Sequence, residues 1–389
     1  MDGLKTGLDS LRTTWATVWG QWNWYVQDAI VAGLVLGALA LVWQLSRREY
    51  WRLAYREVVK RRLAVVSFGI MCLYGTLALL DSVGWHPPLR DAKGTIMTTP
   101  EGKTIWDPKG LSLLDYLLRD IRAREEKTFS APLAREQFTS ELMVDEQGQT
   151  RMGHPPLQYP GQHPFGTDKV GSDVLYLSLK GIRTGIVIGA VTTLLAIPFA
   201  ILFGLLAGYF GGWVDDAIQY FYTVLSSIPN VLVIVAFMVI AGRGLPQLCL
   251  VMGITSWTGL CRVLRGETMK LREMEFIQSA RAMGVPAWKI LARHIVPNVL
   301  HVVLITAVLR FSDQVLAEAA LTYMGIGVDP SVTISWGQMI VDARLELARD
   351  PVIWWKLVAA FVFMLGLVLP TNIFGDALRD ALDPRLRTR

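Results

Sequence analysis

The sequence predicts an all-α protein that crosses a membrane several times, and three observations indicate this class. Apolar residues make up 52% of the 389 residues and charged residues only 18%, whereas soluble domains carry about 25% charged residues. Uncharged runs of helical length recur along the chain. Lysines and arginines collect in a few segments between those runs. Together these features argue against a disordered chain, a nucleic-acid-binding tail protein and an ordinary cytosolic enzyme.

Seven apolar runs are candidate spans, since a helix needs about 20 mostly apolar residues to cross the hydrocarbon of a bilayer. They cover 29–46, 63–80, 184–213, 217–242, 245–261, 295–328 and 357–375. The segment before the first run contains charged residues and four tryptophans, and no small-residue cleavage site lies near the end of that run. This pattern predicts an uncleaved span rather than a signal peptide.

The basic segments orient the chain. Residues 47–62 and residues 262–294 each hold seven Lys or Arg, and the tail after Gly375 holds four Arg. With seven spans, all three segments fall on one face, which we expect to be cytoplasmic because cytoplasmic loops collect basic residues. The N-terminus is then outside and the C-terminus cytoplasmic. The short turn 211–216 falls on the same face, although it carries two aspartates and no base.

Four regions follow from these runs. They are an N-terminal extension with its own span and a basic linker (1–62), the next span (63–83), a polar external segment (84–182), and a helical core (183–389) with a cytoplasmic loop (262–298) and a cytoplasmic tail. Within the external segment, leucines and an isoleucine at helical spacing predict an amphipathic helix over 111–126. Its proline and glycine content predicts a loop over 153–164.

Catalytic and metal-binding patterns are missing from the sequence. Gly102-Lys103-Thr104 ends like a P-loop, but Met97 stands where the required glycine belongs and no apolar strand precedes it. The three cysteines form no CxxC pair, and the histidines of the external segment lack metal-ligand spacing. We therefore expect no enzyme activity, no metal and no cofactor on this chain, and any ATP hydrolysis that drives it belongs to another subunit.

The loop after the fifth run reads as helix–turn–helix. Residues 275–283 favour a helix, Gly284 suits the left-handed position after a helix end, and Pro286 suits the first turn of the next helix. Three small residues, Ser279, Ala280 and Gly284, would leave one face shallow enough to enter a groove on a partner. A plain surface loop is the alternative that these residues leave open.

Residues 278–284 (QSARAMG), with Pro297 thirteen residues after Gly284, resemble the EAA loop of ABC-importer permeases. Gln278 stands where that family has Glu, so it lacks the charge for the salt bridge expected there. Ser279 stands for Ala and Val296 for Leu. The resemblance implies that this loop couples the chain to an ATPase. The implied coupling positions are Phe276, Gln278, Ser279, Ala280, Arg281, Gly284 and Pro297.

Four further blocks narrow the resemblance to peptide-type permeases. Residues 163–173 (HPFGTDKVGSD) are similar to that family's signature, with Ser172 in place of Arg. Matching blocks follow at 208–215 with 227–229, at 318–327 with 335–337, and at 375–384. The signature positions are Gly166, Thr167, Asp168, Gly171, Asp173, Gly325, Gly327, Trp336 and Gly337. Residues 1–162 are less covered, and the span 29–46 and most of the external segment look like additions to a six-span core.

The chain thus resembles the C-type permease subunit of a dipeptide, oligopeptide or nickel ABC importer. That resemblance implies alternating access in the inner membrane of a bacterium. It also implies a homologous second permease, two ATP-binding subunits that hold ATP and magnesium, and an external substrate-binding protein. The substrate stays open between peptides, nickel chelates and related solutes. A secondary transporter is a weaker alternative, since no inverted repeat is visible, and a membrane anchor that works through its external segment is another.

Three charges lie within the sixth run: Arg310, Asp313 and Glu318. Because charges inside a membrane are costly and tend to face a protein interior or a cavity, they are candidates for the translocation path. Arg310 and Asp313 are three residues apart and can pair on one helix face, so a purely structural pair is the alternative. Glu318 coincides with a family motif position, which favours gating or packing near the outer end of its span.

Glycine spacing, two prolines and two aspartates predict local details of the helices. Glycines spaced by four, at 181–189 and at 204–212, predict close helix packing within the permease or with its partner. Pro198 and Pro229 lie inside spans and predict kinks. Asp168 and Asp173 predict a turn and a helix cap before the third run.

Overall fold

The computed structural model describes residues 29, 32–33, 36–37, 40, 56–85, 88–89, 91, 94–98, 104–106, 110–144, 150–331 and 333–382. The predicted span 29–46 lies mostly outside these residues, and the six of its residues that are described are helical. Helix α1, Arg62–Ser82, is the first long helix whose bounds the structure gives.

The external segment contains short elements. They are β1 (Gly84–Trp85), β2 (Leu111–Ser112), α2 (Leu113–Leu117), α3 (Arg119–Arg122), β3 (Glu141–Val144) and β4 (Thr150–Gly153). Strands β1 and β2 pair antiparallel, as do β3 and β4, and Leu142 lies opposite Met152 in the second pair. The predicted loop 153–164 follows β4.

The helical core follows the external segment. Its elements are α4 (Val174–Phe210), α5 (Gly212–Ser227), α6 (Asn230–Ala241), α7 (Leu245–Ser256), α8 (Thr258–Arg272), α9 (Glu275–Ala282), α10 (Ala287–Ile290), a π-helical turn (Leu291–Ile295), α11 (Val296–Tyr323), α12 (Trp336–Leu347) and α13 (Trp355–Leu382).

Among the residues that the structure describes, five helical stretches are long and apolar enough to cross a bilayer, and a bent pair adds a sixth if its two helices form one span. The five are Arg62–Ser82, Val174–Phe210, Leu245–Arg272, Ala287–Tyr323 and Trp355–Leu382. They coincide largely with the runs predicted from residue 63 onward, so the all-α membrane class is confirmed. The sixth is α5 with α6, whose axes differ by 78°.

The kink predicted at Pro229 is present, and it divides the predicted span 217–242 between α5 and α6. Pro229 lacks a backbone N–H and forces the residue before it out of the helical region, and Ile228 is extended, with φ −89° and ψ 128°. The chain therefore bends between α5 and α6. In contrast, α4 continues through Pro198 without a break in its helix.

The single amphipathic helix predicted over 111–126 is wrong. Ser112 is the N-cap of α2, because its hydroxyl accepts the Asp115 N–H while the Asp115 carboxylate accepts the Ser112 N–H. This capping box makes the helix begin only at Leu113. Leu118, with φ −95° and ψ 15°, then separates α2 from α3.

Helix α4 is the centre of the core, with contacts to α1, α5, α7, α8, α11, α12 and α13. Its glycines allow this packing: a Cβ on Gly185 would lie 2.9 Å from Trp336, and one on Gly208 would lie 2.6 Å from the Arg265 carbonyl oxygen. The predicted close packing within the chain is confirmed at these positions. Gly212 instead begins α5 with φ +51° and open space around it.

Helices α1 and α13 pack together and share their ends. Arg61, just before α1, donates from Nη1 to Oδ2 of Asp380 in the last turns of α13 at 2.6 Å. Phe68 and Phe374 have ring centroids 5.4 Å apart. The start of α1 and the end of α13 therefore lie on the same side of the molecule.

Candidate functional site

The predicted helix–turn–helix is present between α8 and α11. Helix α9 ends at Ala282 with Met283 as its C-cap, and Gly284 follows with φ +74°. The Gly284 N–H donates to the Arg281 carbonyl at 3.0 Å and the Val285 N–H donates to the Ala280 carbonyl at 3.1 Å. These bonds close the helix end, which needs a left-handed residue at Gly284.

This loop has an anchored inner face and an exposed outer face. Ile277 and Ala280 are 0% and 4% exposed and pack in one core cluster. On the other side, Phe276, Met283 and Trp288 are 46%, 75% and 69% exposed. Exposed apolar side chains grouped on a short segment mark an interaction surface.

The prediction that Ala280 belongs to a shallow outer face is wrong. Ile277 and Ala280 are three residues apart, so they share one face of α9, and that face is buried. Ser279 is exposed, and a Cβ on Gly284 would meet nothing within 4 Å. The outer face is therefore built from Phe276, Ser279, Met283 and Trp288 around Gly284.

The polar residues of the loop bind it to the rest of the chain. Gln278 donates from Nε2 to the Glu273 carbonyl oxygen at 3.1 Å, which caps the turn before α9. Arg281 lies 5.8 Å from the centroid of the Tyr209 ring at the end of α4. Pro297 is in the first turn of α11, directly after the π-helical turn.

An ion pair that the sequence did not reveal joins α5 to α8. Arg265 donates from Nε to Oδ1 of Asp215 at 2.5 Å and from Nη2 to Oδ2 at 2.6 Å. A bidentate pair of this kind fixes both distance and orientation. The sequence showed Asp215 only as part of a turn, and no local spacing links it to Arg265. Through this pair, α8, which leads into the loop, is held to the bent pair.

The three charged candidates of α11 have different environments. Arg310 donates from Nη1 to the Ser256 carbonyl oxygen at 2.5 Å, where α7 meets α8. No salt bridge joins it to Asp313, which is exposed, so the predicted pair is wrong. The free carbonyl at the break after Ser256 offers the guanidinium a partner that a side-chain spacing rule does not reveal.

Glu318 is buried beneath the loop that leads to α12. It is 2% exposed and accepts the Thr322 hydroxyl at 2.8 Å. A Cβ on Gly337 would lie 3.1 Å from its Oε1, and a Cβ on Gly327 would overlap the Thr322 hydroxyl oxygen. Glu318 and these glycines therefore pack α11 against the start of α12.

The signature block 163–173 forms a buried polar turn. Asp173 caps α4 by accepting the Leu175 N–H at 2.8 Å, and Asp168 accepts the N–H groups of Val170 and Ser172. The predicted turn and cap are thus confirmed. His163 is 1% exposed, and its Nδ1 lies 2.9 Å from Oδ2 of Asp173.

A residue of the external segment completes that turn. The Glu126 carboxylate accepts the N–H groups of Gln158 and Tyr159 and lies 3.5 Å from Nε2 of His163. The external segment also packs closely against Gly166 of the signature: a Cβ on this glycine would lie 2.3 Å from the Ser130 carbonyl oxygen. The signature block and the rest of the external segment around it are therefore one packed unit.

Two lysine clusters, one buried and one partly buried, join this unit to the spans. In the Lys356 cluster, the ammonium lies 2.9 Å from Asp342, 3.7 Å from Glu346 and 3.8 Å from Asp168. Lys356 is 1% exposed, and the neighbouring Trp355 donates to the Thr167 carbonyl. Burial raises the pKa of Glu346, against the opposing charge of Lys356.

In the Lys180 cluster, the ammonium lies 2.5 Å from Asp81 and 3.0 Å from Asp115. Tyr176 donates to the other Asp115 oxygen at 2.7 Å. Burial alone would raise the pKa of Asp115, but Lys180 and these hydrogen bonds hold that pKa below its usual value. The cluster joins α1, α2 and α4. In the part of the chain that the structure describes, no three His, Cys, Asp or Glu side chains are placed to hold a metal ion.

Comparison with known proteins places these features in context. Residues 200–388 match the family described as "Binding-protein-dependent transport system inner membrane component". The oligopeptide transport system permease protein OppC of Bacillus subtilis is 33% identical over 225 residues, which are 58% of this chain and 72% of that protein. OppC of Mycobacterium tuberculosis is 36% identical over 235 residues, 60% of this chain and 79% of that protein. The glutathione permease GsiD of Pectobacterium atrosepticum is 34% identical over 227 residues, 58% and 74%.

Solved structures of the MetNI methionine ABC transporter, in inward-facing conformations, are also similar. One aligned chain is 17% identical, with a TM-score of 0.44, over 54% of this chain and 97% of that one.

Proposed function

The chain belongs to the family of binding-protein-dependent transport system inner membrane components, and on that premise we propose that it is the permease subunit of an ATP-driven importer of peptides. The relatives named for oligopeptides, dipeptides and glutathione support a peptide-class substrate. Nickel or another small solute is the alternative substrate within the same transporter type.

The proposal includes the partners and the orientation. The path forms between this chain and a homologous second permease, two ATPase subunits lie on the cytoplasmic face, and a substrate-binding protein delivers the peptide from outside. The basic segments and the C-terminus are cytoplasmic. The pair of Arg61 and Asp380 is consistent with this, since it joins the start of α1 to the end of α13.

The observation that carries the proposal is the two-faced loop around Gly284. Its inner face is fixed in the core by Ile277 and Ala280, while Phe276, Met283 and Trp288 are exposed. Coupling to an ATPase requires both properties: a surface that the partner binds and a rigid attachment to the helices that span the membrane. The exposed side chains of Gln278, Ser279 and Arg281 add polar groups beside these apolar ones.

We derive the mechanism from these attachments. ATP binding closes the ATPases and displaces α9. The ion pair of Arg265 and Asp215 carries the displacement from α8 to α5, and Arg310 carries it from the α7–α8 junction to α11. The spans then open the path on one side and close it on the other. The work comes from the different affinity of ATP for the two states.

The substitution Gly284→Asp tests the coupling role. It forces φ +74° on a residue with a side chain and adds a carboxylate to the outer face, so ATP-driven uptake should be lost while the protein still reaches the membrane. Gly161→Asp is the matched control, because Gly161 has φ +71° and equally open surroundings in the external segment. Intact uptake in the Gly284→Asp variant would show that the coupling assignment is wrong.

A further inference from the structure

A groove lies where the external segment leaves the first long helix, and we define the outer groove by Trp85, Asp115, Tyr116, Arg119, Arg122 and Glu125. Its volume is about 420 Å³. The proposed path and coupling loop do not use it. Trp85 is 48% exposed and Tyr116 57% exposed, so the aromatic rings of the groove are open to the surroundings.

The position of this groove relative to the bilayer follows from α1. The helix has 21 residues and is therefore about 31 Å long, close to the hydrocarbon thickness of about 30 Å. Its apolar run ends at Leu80, and Asp81 pairs with Lys180, which precedes the apolar run of α4. Trp85 is only five residues beyond Leu80. The outer groove is therefore at the level of the lipid headgroups, where tryptophan and tyrosine are enriched.

The charges of the groove match a particular headgroup. Arg119 and Arg122 are exposed cations on α3, and guanidinium groups suit phosphate oxygens. The Arg119 guanidinium also lies 5.6 Å from the centroid of the Tyr116 ring. The Asp115 carboxylate already accepts from Lys180 and Tyr176. Glu125 is the exposed carboxylate of the groove.

We propose that the outer groove binds the headgroup of an outer-leaflet aminophospholipid, with its phosphate at Arg119 and Arg122 and its ammonium at Glu125. The acyl chains then lie along the outer half of α1, where Leu73 is 57% exposed. The lipid fixes the external segment to the membrane surface beside α1. This inference uses the membrane orientation given with the proposed function, but it does not depend on transport or on the substrate.

Lipid retention by the purified transporter, chain and partner subunits together, tests the proposal. The complex is equilibrated with equal amounts of phosphatidylethanolamine, phosphatidylcholine and phosphatidylglycerol, and bound lipid is counted by native mass spectrometry. Phosphatidylethanolamine should be retained preferentially. In the double variant Arg119→Ala/Arg122→Ala, its retention should fall about tenfold or more, since two charge-assisted hydrogen bonds are lost. Arg135→Ala, an exposed arginine elsewhere in the external segment, is the control and should retain the lipid.

A second variant keeps the test independent of folding. Glu125→Gln removes only an exposed charge and should abolish the preference for phosphatidylethanolamine over phosphatidylglycerol. Retention that is equal in wild type and the double arginine variant would overturn the proposal. So would an unchanged preference in Glu125→Gln, or a second permease seated on the groove in the complex. Loss of peptide uptake in any of these variants bears on the proposed function and not on lipid binding.

Discussion

Lys356 is a single cation surrounded by three carboxylates at the start of α13. Asp342, Glu346 and Asp168 lie within 4 Å of its ammonium, so with all three ionised the cluster carries two more negative charges than the lysine neutralises. Both Glu346 oxygens are buried without a hydrogen-bond partner. Burying an uncompensated charge is costly, so the protonated form of Glu346 fits this site better than the ionised one.

The pH dependence of stability follows from that environment. Because the folded pKa of Glu346 is raised by burial, its contribution to stability is fully present below the usual glutamate pKa of about 4.3 and is lost as pH rises through the folded pKa. Glu346→Gln mimics the protonated form. The variant should match wild type in thermal unfolding midpoint near pH 4 and exceed it near pH 7.

The purified protein in detergent allows this comparison. Glu136→Gln, which changes an exposed glutamate of the external segment, should keep the wild-type pH dependence. A midpoint for Glu346→Gln that is below wild type at pH 7 would mean that the ionised carboxylate is the stabilising form.

Single residues differ in how well the sequence reveals them. The left-handed conformation of Gly284 could be predicted, because it depends only on the local pattern of a glycine directly after a helix end. Lys356 was not, because its partners come from α12 and from the signature block, which are far apart in sequence. Ala280 was assigned to the wrong face, since small size alone does not tell which side of a helix is buried.

At the scale of elements, the break between α5 and α6 and the ion pair beside it determine how α8 is held in the structure. The bend of 78° separates α5 from the rest of its predicted span. Asp215 then holds α5 to α8 through Arg265. The uncharged run predicted the length of this span and Pro229 predicted the kink within it, but neither predicts the angle between the two halves.

Exchanging the charges of that pair tests whether it transmits motion. Asp215→Ala should reduce ATP-driven uptake about tenfold or more, because it removes a bidentate charge-assisted pair. The double variant Asp215→Arg/Arg265→Asp should recover a large part of the loss. Glu267→Ala is the control, since its pair with Lys270 is exposed and is expected to contribute little. A double variant as inactive as the single one would argue against transmission through this pair.

At the scale of the whole molecule, the two sides of the membrane are built differently. On one side, the Lys180 and Lys356 clusters join the external segment to α1, α4, α12 and α13. On the other, the loop around Gly284 presents an exposed apolar face.

The class of protein and most spans could be predicted from composition and run length, because they depend on local hydrophobicity. The packing of the external segment could not, since it depends on contacts between distant residues.

The most direct test of the account is peptide accumulation in proteoliposomes that contain this chain with its partner permease, its ATPases and the binding protein. With ATP on the ATPase side, a labelled peptide should accumulate even when ionophores remove all ion gradients, and accumulation should stop without ATP. Accumulation that follows an imposed ion gradient and ignores ATP would contradict the account.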